Sequence, residues 1–83
     1  MSTRKSLEKI VIDWKAVGRR VRELRGFDSK QSDVAEAIGV AQSHISAIEH
    51  GQREIGALIL LRLSRHYDKS IEWLLTGSDA EDA

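Results

Sequence analysis

The chain has 83 residues, 41% hydrophobic and 31% charged, with no cysteine and no proline. That is enough for one small core held by helix packing alone, and it excludes disulfides and thiolate metal sites. Thirteen basic and thirteen acidic residues cancel, yet residues 1–30 hold nine Lys and Arg against four acids while residues 31–83 hold four against nine, so zero net charge does not exclude a polyanionic partner.

Residues 1–12 read as an N-terminal arm. Ile10, Val11 and Ile12 form a short β-prone run, and Ser6, Leu7, Glu8 and Lys9 are able to open a helical turn. Arg4 and Lys5 are placed as basic arms that reach phosphates are, although such termini are more often simply mobile. No apolar run has the length of a signal or a membrane span, so the expectation is a soluble cytoplasmic protein with no membrane partner.

A single domain is expected over residues 13–77. Asp13 suits the N-cap of a helix over Trp14–Arg25, whose buried stripe is Trp14, Val17, Val21 and Leu24, and Gly26 ends it. Arg19, Arg20 and Arg22 on this helix serve either a polyanion or plain solvation. A second helix starts at Gln31 and places Val34, Ala35 and Ile38 on one face, with Gly39 where a left-handed C-cap is needed. After the turn Gly39-Val40-Ala41 a third helix runs from about Gln42 to His50, with Ile45 and Ile48 as its apolar side. Two short helices, a glycine-bearing turn and one apolar seam make a helix-turn-helix pattern. The loop Gln52-Arg53-Glu54 leads to a fourth helix, about Ile55 to Tyr67. Its Leu58, Ile59, Leu60, Leu61 and Leu63 are too many for one stripe and predict two buried sides or a central position. Ser70 caps a last helix, Ile71–Thr76, with Glu72 in its first turn and Gly77 closing it; residues 78–83 are an acidic tail with Asp79, Glu81 and Asp82.

On the third helix Gln42, Ser43, Ser46, Ala47 and His50 share one exposed arc, opposite Ile45 and Ile48 with His44 and Glu49 at the flanks. In a chain this charged, a neutral arc of short amide and hydroxyl side chains suits entry into the DNA major groove. The amide of Gln42 matches adenine N7 and N6 together. The same arc also reads as a plain surface helix of low charge. His44 is better placed for packing or for a phosphate flank than for reading bases. His44, His50 and His66 lack the i, i+4 spacing of a zinc pair, and there is no glycine-rich phosphate loop, no nucleophile motif and no pair of carboxylates in an obvious cleft setting. No metal, cofactor, small-molecule ligand or enzymatic activity is expected.

The segments VGRRVRELR, QSDVAEAIGV, ISAIEHG and IEWLLTG, in that order between Val17 and Gly77, resemble the phage-repressor and Cro type of helix-turn-helix, the XRE family. The resemblance implies an all-α, five-helix, lambda-repressor-like domain that binds double-stranded DNA. It would act as a sequence-specific, repressor-like transcriptional regulator, a homodimer reading the major groove with the helix 42–50. Base contacts then fall to Gln42, Ser43, Ser46 and Ala47, the last offering only a methyl where relatives often carry a longer polar side chain. Phosphate contacts fall to Gln31, His44, His50, Gln52 and Arg53. Gln31 matches a glutamine that also braces the recognition helix, at a helix N-terminus already favourable to an anion. Arg25 and Glu49 match positions of a structural ion pair. The connection Gly26-Phe27-Asp28-Ser29 is one residue shorter than usual, so Phe27 is expected to supply the loop's apolar plug and Asp28 or Ser29 to cap the second helix. The family's proline near Ile55 is missing, which leaves the start of the fourth helix less sharply set.

The last helix carries the dimer expectation. Trp73, Leu74 and Leu75 point about 100° apart and cannot all bury on one face. Either Leu74 docks inward with Trp73 near the surface, the favoured choice, or the reverse. The three form either a two-fold contact, for which the family often uses this helix, or a satellite cluster that caps the monomer core. Two other readings compete. One is a protein-interaction module, such as an antitoxin or a coactivator adaptor, which would need a foldable extra segment that the arm and tail are too short to supply. The other is a DNA-binding domain cut from a longer protein.

Overall fold

The computed structural model describes residues 9–79. The expectations for Arg4, Lys5 and the turn opening at Ser6, and for the acids Glu81 and Asp82, lie outside the described residues. Within them there are five helices and no strand: α1 Trp14–Arg25, α2 Gln31–Ile38, α3 Gln42–Glu49, α4 Ala57–Tyr67 and α5 Ile71–Thr76. The β-prone run forms no ladder; Ile10 and Val11 are exposed and Ile12 packs partly on the core.

Several helix ends have a local cause in the sequence. The Asp13 carboxylate accepts from the Lys15 and Ala16 backbone N–H groups at 3.1 and 3.2 Å, satisfying two donors the first turn of α1 cannot use internally. Gly39 adopts φ 78°, ψ 38° and closes α2 through its N–H to the Ala35 carbonyl. Ser70 Oγ accepts from the Trp73 N–H at 3.0 Å and begins α5, and Gly77 ends it in the left-handed region. α3 stops one residue earlier than the spacing suggested, with His50 as its C-cap.

The core is drawn from every helix: Val17 and Val21 of α1, Val34, Ala35 and Ile38 of α2, Ile45 and Ile48 of α3, Leu60 and Leu63 of α4, and Leu74 of α5, with Ile55 added from the loop before α4. Each fully buried Val, Leu or Ile side chain contributes about 1.5–3 kcal/mol. Trp14 and Leu24, expected in the α1 stripe, are only partly buried at its margin.

α1 lies unusually close to the end of α3. A Cβ on Gly18 would stand 2.4 Å from the Ile48 carbonyl oxygen and 2.6 Å from that of Glu49, so only glycine permits the approach. One turn back along α1 the contact recurs, because a Cβ on Gly51 (φ 67°) would fall 2.5 Å from the Lys15 Cα. Two arginines finish helices from a distance. Arg20 donates through Nε and Nη2 to the Leu74 and Leu75 carbonyls, both at 3.1 Å, and Arg62 Nη1 donates to the Ile38 carbonyl at 3.1 Å. Both meet carbonyls that a helix C-terminus leaves without intrahelical donors.

Four expectations are corrected. Phe27 plugs nothing: it is fully exposed, because Gly26 at φ 67° turns the short connection outward. Neither Asp28 nor Ser29 caps α2. Lys30 holds the N-cap position, its N–H donating to Asp33 Oδ2 at 3.0 Å, while the Ser29 carbonyl accepts from Arg25 Nη1. α4 starts at Ala57 after Gly56 and has one buried side: Leu60 and Leu63 are inside, whereas Leu58 and Leu61 are 57% and 41% exposed. Leu74 docks inward as expected but retains no accessible surface, so it cannot itself form a dimer contact.

Candidate nucleic-acid interface

The turn between α2 and α3 fixes the two helices against each other through Val34, Ala35, Ile38, Ile45 and Ile48, and leaves the opposite edge of α3 open. On that edge Gln42 and Ser43 are exposed and Ser46 and Ala47 partly so. Neither Gln42 nor Ser43 makes a side-chain hydrogen bond among the described residues, so their amide and hydroxyl groups are available to a ligand. The exposed His50 closes the edge, its ring Nδ1 donating to the Ser46 carbonyl at 2.7 Å, which leaves Nε2 pointing away from the helix. His44 is partly buried at the flank, and Gln52 and Arg53 are exposed in the loop that follows.

Behind the open edge, one carboxylate joins three helices. Glu49, at the last turn of α3 and buried, accepts from Arg25 Nε on Oε2 at 2.7 Å and from Arg25 Nη2 on Oε1 at 2.9 Å. Gln31 Nε2, from the first turn of α2, donates to the same Oε1 at 3.0 Å. The third arm of the Arg25 guanidinium donates to the Ser29 carbonyl at 3.0 Å, holding the α1–α2 connection. This two-pronged pairing is the geometry a planar guanidinium offers a carboxylate. Burial alone would push the Glu49 carboxyl up, but the hydrogen bonds from Arg25 and Gln31 and the charges of Arg25 and Arg22 outweigh it and hold it below the ordinary range. The same hydrogen bond raises Arg25. The Tyr67 hydroxyl lies buried with no partner among the described residues, and burial together with the Glu49 charge pushes it up.

The structure therefore gathers most of the residues singled out in the sequence. Gln31, Arg25 and Glu49 form one network, and Gln42, Ser43, Ser46, Ala47 and His50 form one edge. Gln31, at the N-terminus of α2, gives one amide hydrogen to Glu49. Trp73 and Leu75 are separate from this region; both are partly exposed, with Lys69 Nζ 4.9 Å from the Trp73 ring centroid. Sequence reasoning missed Gly18 and Arg62, and it read Arg20 as a polyanion-binding or solvating residue where the side chain instead binds the carbonyls at the end of α5. For Gly18 a signal existed: a glycine midway along an otherwise strong helix lowers its propensity, and so marks a packing constraint. Among the described residues no three His, Asp or Glu side chains stand close enough to hold a metal, and no helix is long and apolar enough to cross a membrane.

The Helix-turn-helix family profile matches residues 19–74. The HTH-type transcriptional regulator PrpR of Mycobacterium tuberculosis is 34% identical over 62 residues, which are 75% of this chain and 12% of PrpR. The chain thus spans about an eighth of the length of that relative. Two solved structures are similar over 75% of this chain and 96% of theirs, each at 30% identity. They are the restriction-modification controller protein C.AhdI of Aeromonas hydrophila, with a TM-score of 0.68, and the P22 c2 repressor in complex with a synthetic operator, with a TM-score of 0.71.

Proposed function

Because the chain belongs to the helix-turn-helix family of DNA-binding transcriptional regulators, we propose that it reads a specific duplex sequence with the open edge of α3, as a repressor-like homodimer acting in the cytoplasm. The observation that carries this reading is the pairing of a neutral, hydrogen-bonding edge with a buried brace behind it. Gln42 and Ser43 are exposed and make no side-chain hydrogen bond among the described residues, while Glu49, seven residues on from Gln42, is held by α1 and α2 at once. A rigid helix presenting unspent amide and hydroxyl groups is what base readout in a major groove requires.

The roles divide by chemistry. Gln31, His44, His50, Gln52 and Arg53 contact phosphates and set the register; Gln42, Ser43, Ser46 and Ala47 meet base edges. Gln31→Ala or Arg53→Ala therefore weakens binding about equally on every sequence. Gln42→Ala relaxes preference at one base pair, by about 1–3 kcal/mol for a lost bidentate contact. Binding measured on an operator and its single-base variants separates the two, and uniform weakening by Gln42→Ala contradicts the assignment. The two-fold contact uses α5, where Ile71 is exposed and Trp73 and Leu75 are partly so. Two half-sites about one helical turn apart are then read together. The deciding experiment is selection of bound sequences from random DNA at stated salt: enrichment of a paired half-site is expected, and no enrichment even at low salt overturns the reading.

A further inference from the structure

We propose that Lys15, in the first turn of α1, is a further phosphate contact, extending the DNA surface from the loop after α3 onto the neighbouring helix. The inference rests on the DNA-binding reading and adds to it a residue outside the helix-turn-helix.

Lys15, Gly18, Arg22 and Arg25 stand at spacings of three, four and three, within an arc of roughly 80° at about 100° per residue. They mark the face of α1 that runs along the end of α3. Arg25 pairs with Glu49 and Arg22 adds its charge to the same carboxylate, so both cations answer a negative group inside the protein. At Gly18 the helix touches the Ile48 and Glu49 carbonyls. Lys15 lies one turn further on, past the end of α3, where it meets Gly51 instead. Its Cα would be 2.5 Å and its Cγ 2.9 Å from a Cβ at that position, so its side chain leaves α1 directly over the glycine. The next two residues are Gln52 and Arg53, exposed and assigned above to phosphate. Lys15 is itself exposed, and its ammonium has no hydrogen bond or ion pair among the described residues. The contact needs both positions: a side chain at 51 would drive the loop away from α1. Gly51 thus sets Lys15 against the loop that carries Arg53, and neither cation has an ion pair among the described residues.

The test is the salt dependence of binding by the whole chain to its selected operator. Releasing one condensed counterion fewer lowers the slope of log K against log salt by about 1. Lys15→Gln is expected to lower the slope by that amount and to weaken binding several-fold on all sequences alike. Lys15→Arg should keep the native slope, and Arg65→Gln, which removes an equal charge from the groove between α2 and α4, should leave it unchanged. Thermal unfolding of each variant checks that the fold is intact. If Arg53→Gln lowers the slope and Lys15→Gln does not, the inference is overturned and the DNA-binding reading stands. If the chain enriches no sequence and neither variant alters its binding, both fall.

Discussion

The Glu49 carboxylate sits among three donors and almost out of water, so its charge state and its partners determine much of the local stability. Removing the guanidinium leaves a buried acid with only the Gln31 amide, and Arg25→Ala is expected to destabilise the fold by about 1–3 kcal/mol, read as a shift in the urea midpoint. The pH dependence follows from the lowered carboxyl. A group whose folded value lies below its unfolded value contributes fully above the unfolded value, about 4.3 for Glu, and loses that contribution as pH falls through the folded one. Urea midpoints should therefore drop as pH falls from about 5 toward 3, and Glu49→Gln should flatten that part of the curve. An equal drop in both proteins would refute the role given to Glu49. Tyr67 presents the opposite case. Its buried hydroxyl has no partner among the described residues, so Tyr67→Phe should leave stability unchanged or raise it by up to about 1 kcal/mol, whereas a clear loss would point to a bond through water.

At the scale of helices, the seam between α1 and α3 is set by the absence of a side chain. Gly18→Ala would normally strengthen a helix by about 1 kcal/mol. Here the added methyl meets two backbone carbonyls that cannot rotate away, and the variant is expected to lose about 1–3 kcal/mol net, measurable by thermal unfolding. The five helices were legible because apolar spacing recurs in each, and at α1 and α5 an Asp or Ser cap and a closing glycine agree with it. The ion pair and the Gln31 position were legible only through resemblance, since nothing local ties residue 25 to residue 49. Arg20 reaching carbonyls 54 positions away was not legible at all: such a contact exists only once α5 has docked. Leucine count misled at α4, where burial follows the 60 and 63 positions and leaves Leu58 and Leu61 outside. The Phe27 expectation failed for a related reason: a shorter connection redirected the residue instead of moving it one place along.

For the whole molecule, the question is whether one copy or two meets the DNA. Leu74 belongs to the monomer core, and Leu74→Ala should cost about 2–5 kcal/mol in unfolding whatever the assembly. Trp73 packs partly against the core and keeps an exposed part beside Lys69 on α5. Trp73→Ala should reduce solution mass toward that of one chain at micromolar concentration with a smaller effect on unfolding. A single-chain mass for the native protein at every concentration, free and on DNA, would remove the dimer while leaving the α3 edge intact.

The placement of the brace has an evolutionary consequence. Arg25, Gln31, Glu49 and Gly18 are bound into contacts from which no one of them can change alone without loss. Gln42 and Ser43 are exposed and make no side-chain hydrogen bond among the described residues, and exchanges at such positions usually stay within about 0.5 kcal/mol of neutral for stability. On the reading proposed for α3, a lineage carrying this chain is free to wander in what it reads while the frame behind the reader stays frozen, so descendants should diverge in target preference sooner than in shape.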